Sequence, residues 1–221
     1  QTIQLGVPIA RCELLDAVTI GAVNQQSKLG LREAPMLFCE FHGSAASVKE
    51  QAETVQTIAR EQGGMDFQWA TQQEDRTRLW QARHDAYPAC RRLMPGSRSM
   101  STDVCVPISR LAECIAETNK DLQTATIPVA LFGHVGDGNF HLVIVVDPNN
   151  PAHHDEAEHL NHRVVERALA MDGTCTGEHG IGFGKLDFLD AEHGEAVSVM
   201  RAVKQAMDPR NLFNRGKVIR V

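Results

Sequence analysis

Residues 126–147, "TIPVALFGHVGDGNFHLVIVVD", constrain the fold more than any other stretch. Two apolar runs flank Asp137-Gly138, one of the strongest short signals for an antiparallel hairpin, because a type I′ turn needs positive φ at both central residues. With that pair as the turn, Val135 faces Phe140 and His134 faces His141. The two histidines then form an opposed cross-strand pair with Cβ atoms about 4.5–5.5 Å apart. Two neutral imidazoles beside apolar strands each need partners for their ring nitrogens, and two protonated ones repel. A shared metal ion removes both difficulties.

The rest of the chain mixes helix and strand signals. Residues 12–29 read as an amphipathic helix ended by Gly30, and 35–43 as a strand. "SVKE" at 47–50 is a capping box that opens a helix running to Gly63-Gly64. A strand is expected at 65–70, a helix at 72–90, a strand at 100–108 and a helix from Ser109 to 124. Residues 151–171 and 191–207 read as helices around a glycine-rich stretch, and the tail from 208 is irregular. This order predicts an α+β fold, an antiparallel sheet with helices layered on one face, rather than a doubly wound parallel sheet. The expected division is 1–150 for the sheet-bearing part and 151–221 for a C-terminal helical segment.

Composition narrows the function. The 221 residues are 43% hydrophobic and can bury a sizeable core. A net charge of −6 without a basic run argues against a nucleic-acid partner or an anionic membrane surface. No apolar stretch is long enough to span a bilayer, so no transmembrane segment is expected. The six cysteines include no CxxC pair, which predicts free thiols in a reducing compartment rather than disulfides or a zinc–thiolate site. The opening "QTIQLGVPIARCELLD" reads like the interior of a longer protein.

The stretch "GTCTGEHGIGFGK" at 173–185 places Glu178 beside His179 among five glycines. It fits neither GxxxxGK[ST] nor GxGxxG, so phosphate cradling is not its role. Its glycines let backbone approach a ligand closely. His134, His141 and Glu178 make a two-histidine, one-carboxylate set with open positions, the composition of catalytic zinc and non-haem divalent sites. His179, adjacent but not ligating, is free to act as a general base.

"GHVGDGNFH", "GEHGIGFGK" and "DPRNLFNRGKV" together resemble the C-terminal half of FAD-linked 2-hydroxyacid dehydrogenases of the vanillyl-alcohol-oxidase fold, and "LWQARHDAY" and "STDVCVPISRL" look closest to the D-lactate (cytochrome-type) branch. The resemblance covers essentially the whole chain. It implies a ferredoxin-like, substrate-facing cap over 1–150 and a C-terminal segment that packs on a flavin domain lying outside this sequence. It further implies that His134, His141 and Glu178 hold a divalent metal, zinc or manganese, and that His179 is the catalytic base. Asn139 is expected to approach the substrate, and Arg83 to pair bidentately with the substrate carboxylate. Asn214, in "NRGK" where the family commonly has NPGK, is the candidate flavin contact. Ser101 stands where relatives acting on a dicarboxylate carry lysine, which favours a small monocarboxylic 2-hydroxy acid such as D-lactate. The cofactor implied is FAD, held mainly by an N-terminal domain or subunit, with electrons passing to a separate acceptor. The expected location is the cytoplasm, peripheral to the inner membrane, or the mitochondrion in a eukaryote. A stand-alone metal-dependent hydrolase and a non-catalytic metal-binding module are the competing readings. The hydrolase would use the same metal to activate water.

Overall fold

A computed structural model describes residues 1–221. The chain runs β1 (Ile9–Leu15), α1 (Ala17–Ser27), β2 (Met36–Phe41), α2 (Ala45–Glu61), α3 (Gln73–His84), α4 (Ala86–Cys90), β3 (Arg98–Ser101) and β4 (Val104–Cys105). It continues through α5 (Ile108–Leu122), β5 (Val129–Gly133), β6 (Asn139–Val146), α6 (Pro151–Ala170), α7 (Leu186–His193) and α8 (Ala196–Met207).

The sheet order is β2-β1-β5-β6-β3, every pairing is antiparallel, and β4 pairs with β6 beyond the end of β3. The class is therefore α+β, as the sequence predicts. The helices, however, lie on both faces of the sheet rather than one. On one face Leu131, Phe140, Leu142, Ile144 and Val146 pack with Leu111 of α5, with Leu160 and Val164 of α6, and with Phe188 of α7. On the other, Leu15, Phe132, Val143 and Val145 pack with Ile20 and Val23 of α1 and with Ala86 and Ala89 of α4. Every residue of β5 and β6 is buried, the condition of a strand covered on both sides. Each fully buried Leu or Ile there contributes about 1.5–3 kcal/mol of transfer free energy. The first core layer joins residues on either side of 150, since α6 packs against β6 and β4.

Four local expectations differ from the fold. The predicted helix at 12–29 begins with a strand: β1 lies between β2 and β5, and the Asp16 side chain then caps α1 by accepting from the Thr19 N–H at 2.7 Å. Sheet pairing here overrides a helix-compatible apolar spacing. Residues 65–70 form no strand, and Met65 and Trp69 are exposed. The predicted strand at 100–108 is interrupted at Thr102-Asp103, although β3 and β4 keep one register along β6. The last predicted helix is two, α7 and α8, divided at Gly194 (φ +53°).

The central hairpin is real but its register is shifted by two residues. Phe132, not His134, opposes His141. Of the turn pair only Gly138 has positive φ, +83°, so the turn is not type I′. The loop is wider because flanking backbone holds it: Gly136 N–H donates to Cys12 C=O and Val106 N–H to Gly138 C=O, both at 3.0 Å. A Cβ at Gly138 would stand 2.2 Å from the Val106 carbonyl oxygen, so the position admits no side chain. Strand side chains alternate with period two, so a two-residue shift preserves the face. His134 and His141 therefore still meet, as a diagonal pair with ring centroids 5.9 Å apart.

Candidate metal centre and active site

Four elements deliver the site. β6 carries His141, the loop after β5 carries His134, β1 carries Glu13, and the glycine-rich loop 173–185 brings Glu178 and His179 over the sheet. Glu178 Oε1 lies 3.0 Å from His141 Nε2, 3.4 Å from His179 Nε2 and 3.6 Å from His134 Nε2. Three imidazole nitrogens thus converge on one carboxylate oxygen.

Outer partners fix both sheet histidines. His141 Nδ1 donates to the Thr102 carbonyl at 3.1 Å, and His134 Nδ1 lies 2.7 Å from Glu13 Oε1. With Nδ1 occupied, Nε2 carries the lone pair that faces the cluster. A carbonyl or carboxylate behind each imidazole is the usual support of a metal-ligating histidine. Burial, opposed by its bond to Thr102, lowers the His141 pKa, which favours the neutral imidazole that a cation requires. The bond to Glu13 raises the pKa of His134 against the effect of burial. Burial would raise Glu13, but its bond to His134 and the charge of Arg83 outweigh it and hold that carboxyl low. Two imidazoles and a carboxylate suit a divalent cation by donor chemistry.

The loop is anchored by Asp103, which is fully buried. Its carboxylate accepts from His179 N–H at 2.7 Å, Asn139 Nδ2 at 2.9 Å, Glu178 N–H at 3.0 Å, and Thr176 Oγ1 and Lys185 Nζ at 3.1 Å. Burial would raise its pKa, yet the backbone bond from His179 and these other donors hold it far below the ordinary carboxylate range. Asp103, His141, Glu178 and His179 offer ligand atoms all within 4.8 Å of one another, a set that takes in His179 and leaves out His134, which is the farthest of the three imidazoles from Glu178 Oε1. Both Asp103 oxygens are already spent on donors, so its place is beneath the loop rather than on a cation. Sequence reasoning did not find Asp103, Glu13, Thr102 or Lys185. A charged residue inside the apolar run "MSTDVCVPI" was the available signal for Asp103, since a buried carboxylate demands partners.

Each expected site residue has a definite place. His134, His141, Glu178 and His179 come together; His179 stacks on His141 with centroids 4.9 Å apart and planes 7° apart. Arg83, near the end of α3, is not on the cluster but is tied to it. Its Nε donates to Glu13 Oε2 at 2.9 Å and its guanidinium lies 5.0 Å from the Phe132 ring centroid. Its terminal nitrogens have no protein acceptor, which leaves the fork free. Asn139 is buried under the loop, with Nδ2 bonded to Asp103 Oδ1 and the Val104 carbonyl, while its Oδ1 has no partner. Asn214 is exposed in the tail at φ +47°. That tail meets the glycine-rich loop through Val218 N–H donating to Gly182 C=O at 2.8 Å.

The sequence profile described as "FAD linked oxidases, C-terminal domain" matches residues 1–218. A probable mitochondrial D-lactate dehydrogenase of Danio rerio is 52% identical over 220 residues, covering 99% of this chain and 44% of that protein. The mitochondrial D-lactate dehydrogenase [cytochrome] of Arabidopsis thaliana is 45% identical over 219 residues, covering 99% of this chain and 39% of that protein. This chain therefore spans less than half the length of these curated relatives. Among solved structures, 4-ethylphenol oxidase from Gulosibacter chungangensis superposes with TM-score 0.67 at 13% identity, over 94% of this chain and 47% of that one. A p-cresol methylhydroxylase superposes with TM-score 0.62 at 14% identity, over 94% of this chain and 46% of that one. These two likenesses establish the fold.

Proposed function

Because the chain belongs to the FAD-linked oxidase family, as its C-terminal domain, we propose that it is the substrate-facing part of an FAD-dependent D-2-hydroxyacid dehydrogenase acting on D-lactate or a similarly small 2-hydroxy acid. The observation that carries this reading is the convergence of three imidazole Nε2 atoms on Glu178, with Arg83 held beside them through Glu13. A 2-hydroxy acid presents a hydroxyl and a carboxylate on adjacent carbons. The cluster accommodates the hydroxyl end, and the free guanidinium edge of Arg83 matches the carboxylate.

His134, His141 and Glu178 would hold a divalent cation, zinc or manganese, which would supply Lewis acidity to the substrate hydroxyl. The flavin, carried by the remainder of the protein, supplies the two-electron acceptor. His179 removes the hydroxyl proton at a ring nitrogen; its backbone N–H is pinned by Asp103, so the ring is delivered in one place. Arg83 orients the acid, with Nε locked on Glu13 and its plane against Phe132. Ser101, next to Thr102, offers no cation for a second carboxylate, which favours a monocarboxylate.

The proposed partners are the FAD-bearing part of the protein and a downstream electron acceptor, and the proposed location is mitochondrial, after the relatives so named. No helix is long and apolar enough to cross a membrane. Three converging donors leave coordination positions open, unlike the four-ligand shell of a structural zinc site. The test is oxidation of D- and L-lactate by the full-length protein with an artificial acceptor. Flavin-dependent turnover of the D-isomer is expected. A colourless protein, or one indifferent to both isomers and to other 2-hydroxy acids, contradicts the reading.

A further inference from the structure

We propose that Cys12 and Cys39 form a covalent modification site: an intramolecular disulfide, made by a hydroperoxide and reversed by a dithiol, that staples edge strand β2 to β1 beside the active site. The two residues are directly opposed in the β1–β2 ladder, and their sulfurs already lie 3.8 Å apart. The Cys12 carbonyl points away from β2, where it accepts from Gly136 N–H. Cys12 and Cys39 are therefore a non-hydrogen-bonded pair, the closer of the two antiparallel arrangements, with Cα atoms about 4.5 Å apart. That spacing falls within the range a disulfide accepts without backbone movement.

Selectivity comes from the other four cysteines. Cys90, Cys114 and Cys175 are completely buried. Burial pushes the Cys90 and Cys175 thiols up to about 12. Cys105 is partly exposed, but its sulfur donates to the Asp137 carbonyl and has no thiol neighbour. Cys12 and Cys39 are each partly exposed, and the hydrogen bond from Cys12 favours the Cys39 thiolate.

The chemistry closes in two displacements. Cys39 sulfur attacks the peroxide, forming an S–O bond as the O–O bond breaks, and an alcohol or water leaves. Cys12 sulfur then attacks Cys39, forming the S–S bond as the S–O bond breaks, and water leaves with the Cys12 proton. Two thiols lose two electrons, and one hydroperoxide gains them. The bond closes a loop with a sequence separation of 27 between its ends. It fixes β1 on both sides of Cys12, next to Glu13, which holds His134 and Arg83.

Hydrogen peroxide, added to the reduced protein and then removed, is the probe. Free thiols should fall from six to four. Peptide mapping should place the one disulfide at Cys12–Cys39, a dithiol should restore six thiols, and the oxidised form should melt several degrees higher. Cys12→Ser and Cys39→Ser should each abolish the disulfide, while Cys105→Ser should leave it. The proposal is overturned if the thiol count stays at six, if the bond maps to another pair, if Cys39 proceeds to sulfinic acid with Cys12 still free, or if either single variant still forms an intramolecular disulfide.

Discussion

Glu178 and His179 are adjacent residues with different work, and their variants should separate accordingly. In the full-length enzyme, Glu178→Ala should lose metal and turnover together. His179→Ala should keep its metal and lose turnover by about 10²–10⁴-fold, the usual worth of a general base. Arg83→Ala should chiefly raise KM, because it removes binding common to ground and transition states. Arg83→Lys should rescue little: an ammonium cannot donate to Glu13 through Nε and still present a planar fork. Steady-state kinetics with metal analysis of all four variants checks these outcomes. Near-normal kcat in metal-loaded His179→Ala would move the base elsewhere. At this scale the sequence was informative where residue type and chemistry coincide, as in the paired histidines and the Glu-His dipeptide. It was silent on Asp103 and Glu13, whose roles arise from distant chain segments: Asp103 lies 76 positions from His179, and Glu13 lies 121 from His134.

The glycine-rich loop is held by contact rather than by regular structure. A Cβ on Gly177 would stand 2.1 Å from Asn139 Nδ2, beneath the carboxylate that anchors the loop, whereas one on Gly180 would meet nothing within 4 Å. Gly177→Ala should therefore lift Glu178 from the histidines and weaken metal binding by about 10–100-fold, the usual cost of disturbing what orients a ligand. Gly180→Ala, at φ +76°, should cost about 1 kcal/mol of stability and leave metal affinity within a factor of a few. Calorimetric metal titration and thermal melts separate the two, and equal affinities would contradict the anchoring. The hairpin shows what element-level reading can and cannot recover. Its strands are plain from two apolar runs, and the unbroken apolar character of those runs, without polar alternation, is the sequence sign of a sheet covered on both faces. Its register was not recoverable, because Cys12 and Val106, remote in sequence, decide how wide the loop opens.

The α5–α6 pair contributes one part of the molecule's acid response. Asp121 accepts from Arg163 and Arg167, joining the two helices. Burial would raise its pKa, but the two guanidinium bonds outweigh that and lower it. A carboxyl lowered by folding stabilises the native state above its unfolded value of about 3.9, and that contribution is lost as pH falls through the lower folded value. Melting temperature should thus hold from about pH 7 to 5 and drop below about pH 4, and Asp121→Asn should flatten part of that drop. An unchanged acid slope in Asp121→Asn would show that other carboxyls carry it. The exposed Val199, Val203, Met207, Leu212 and Phe213 lie on α8 and the tail, an apolar surface suited to the proposed flavin-bearing part. The chain on its own is expected to purify colourless.

The central claim is that His134, His141 and Glu178 bind one divalent cation, and direct titration of the metal-stripped protein with zinc or manganese tests it best. Wild type should take up one equivalent. His141→Ala should bind at least 10-fold more weakly, while His42→Ala, on the exposed rim of β2, should match wild type. Equal stoichiometry and affinity in wild type and His141→Ala would contradict the account.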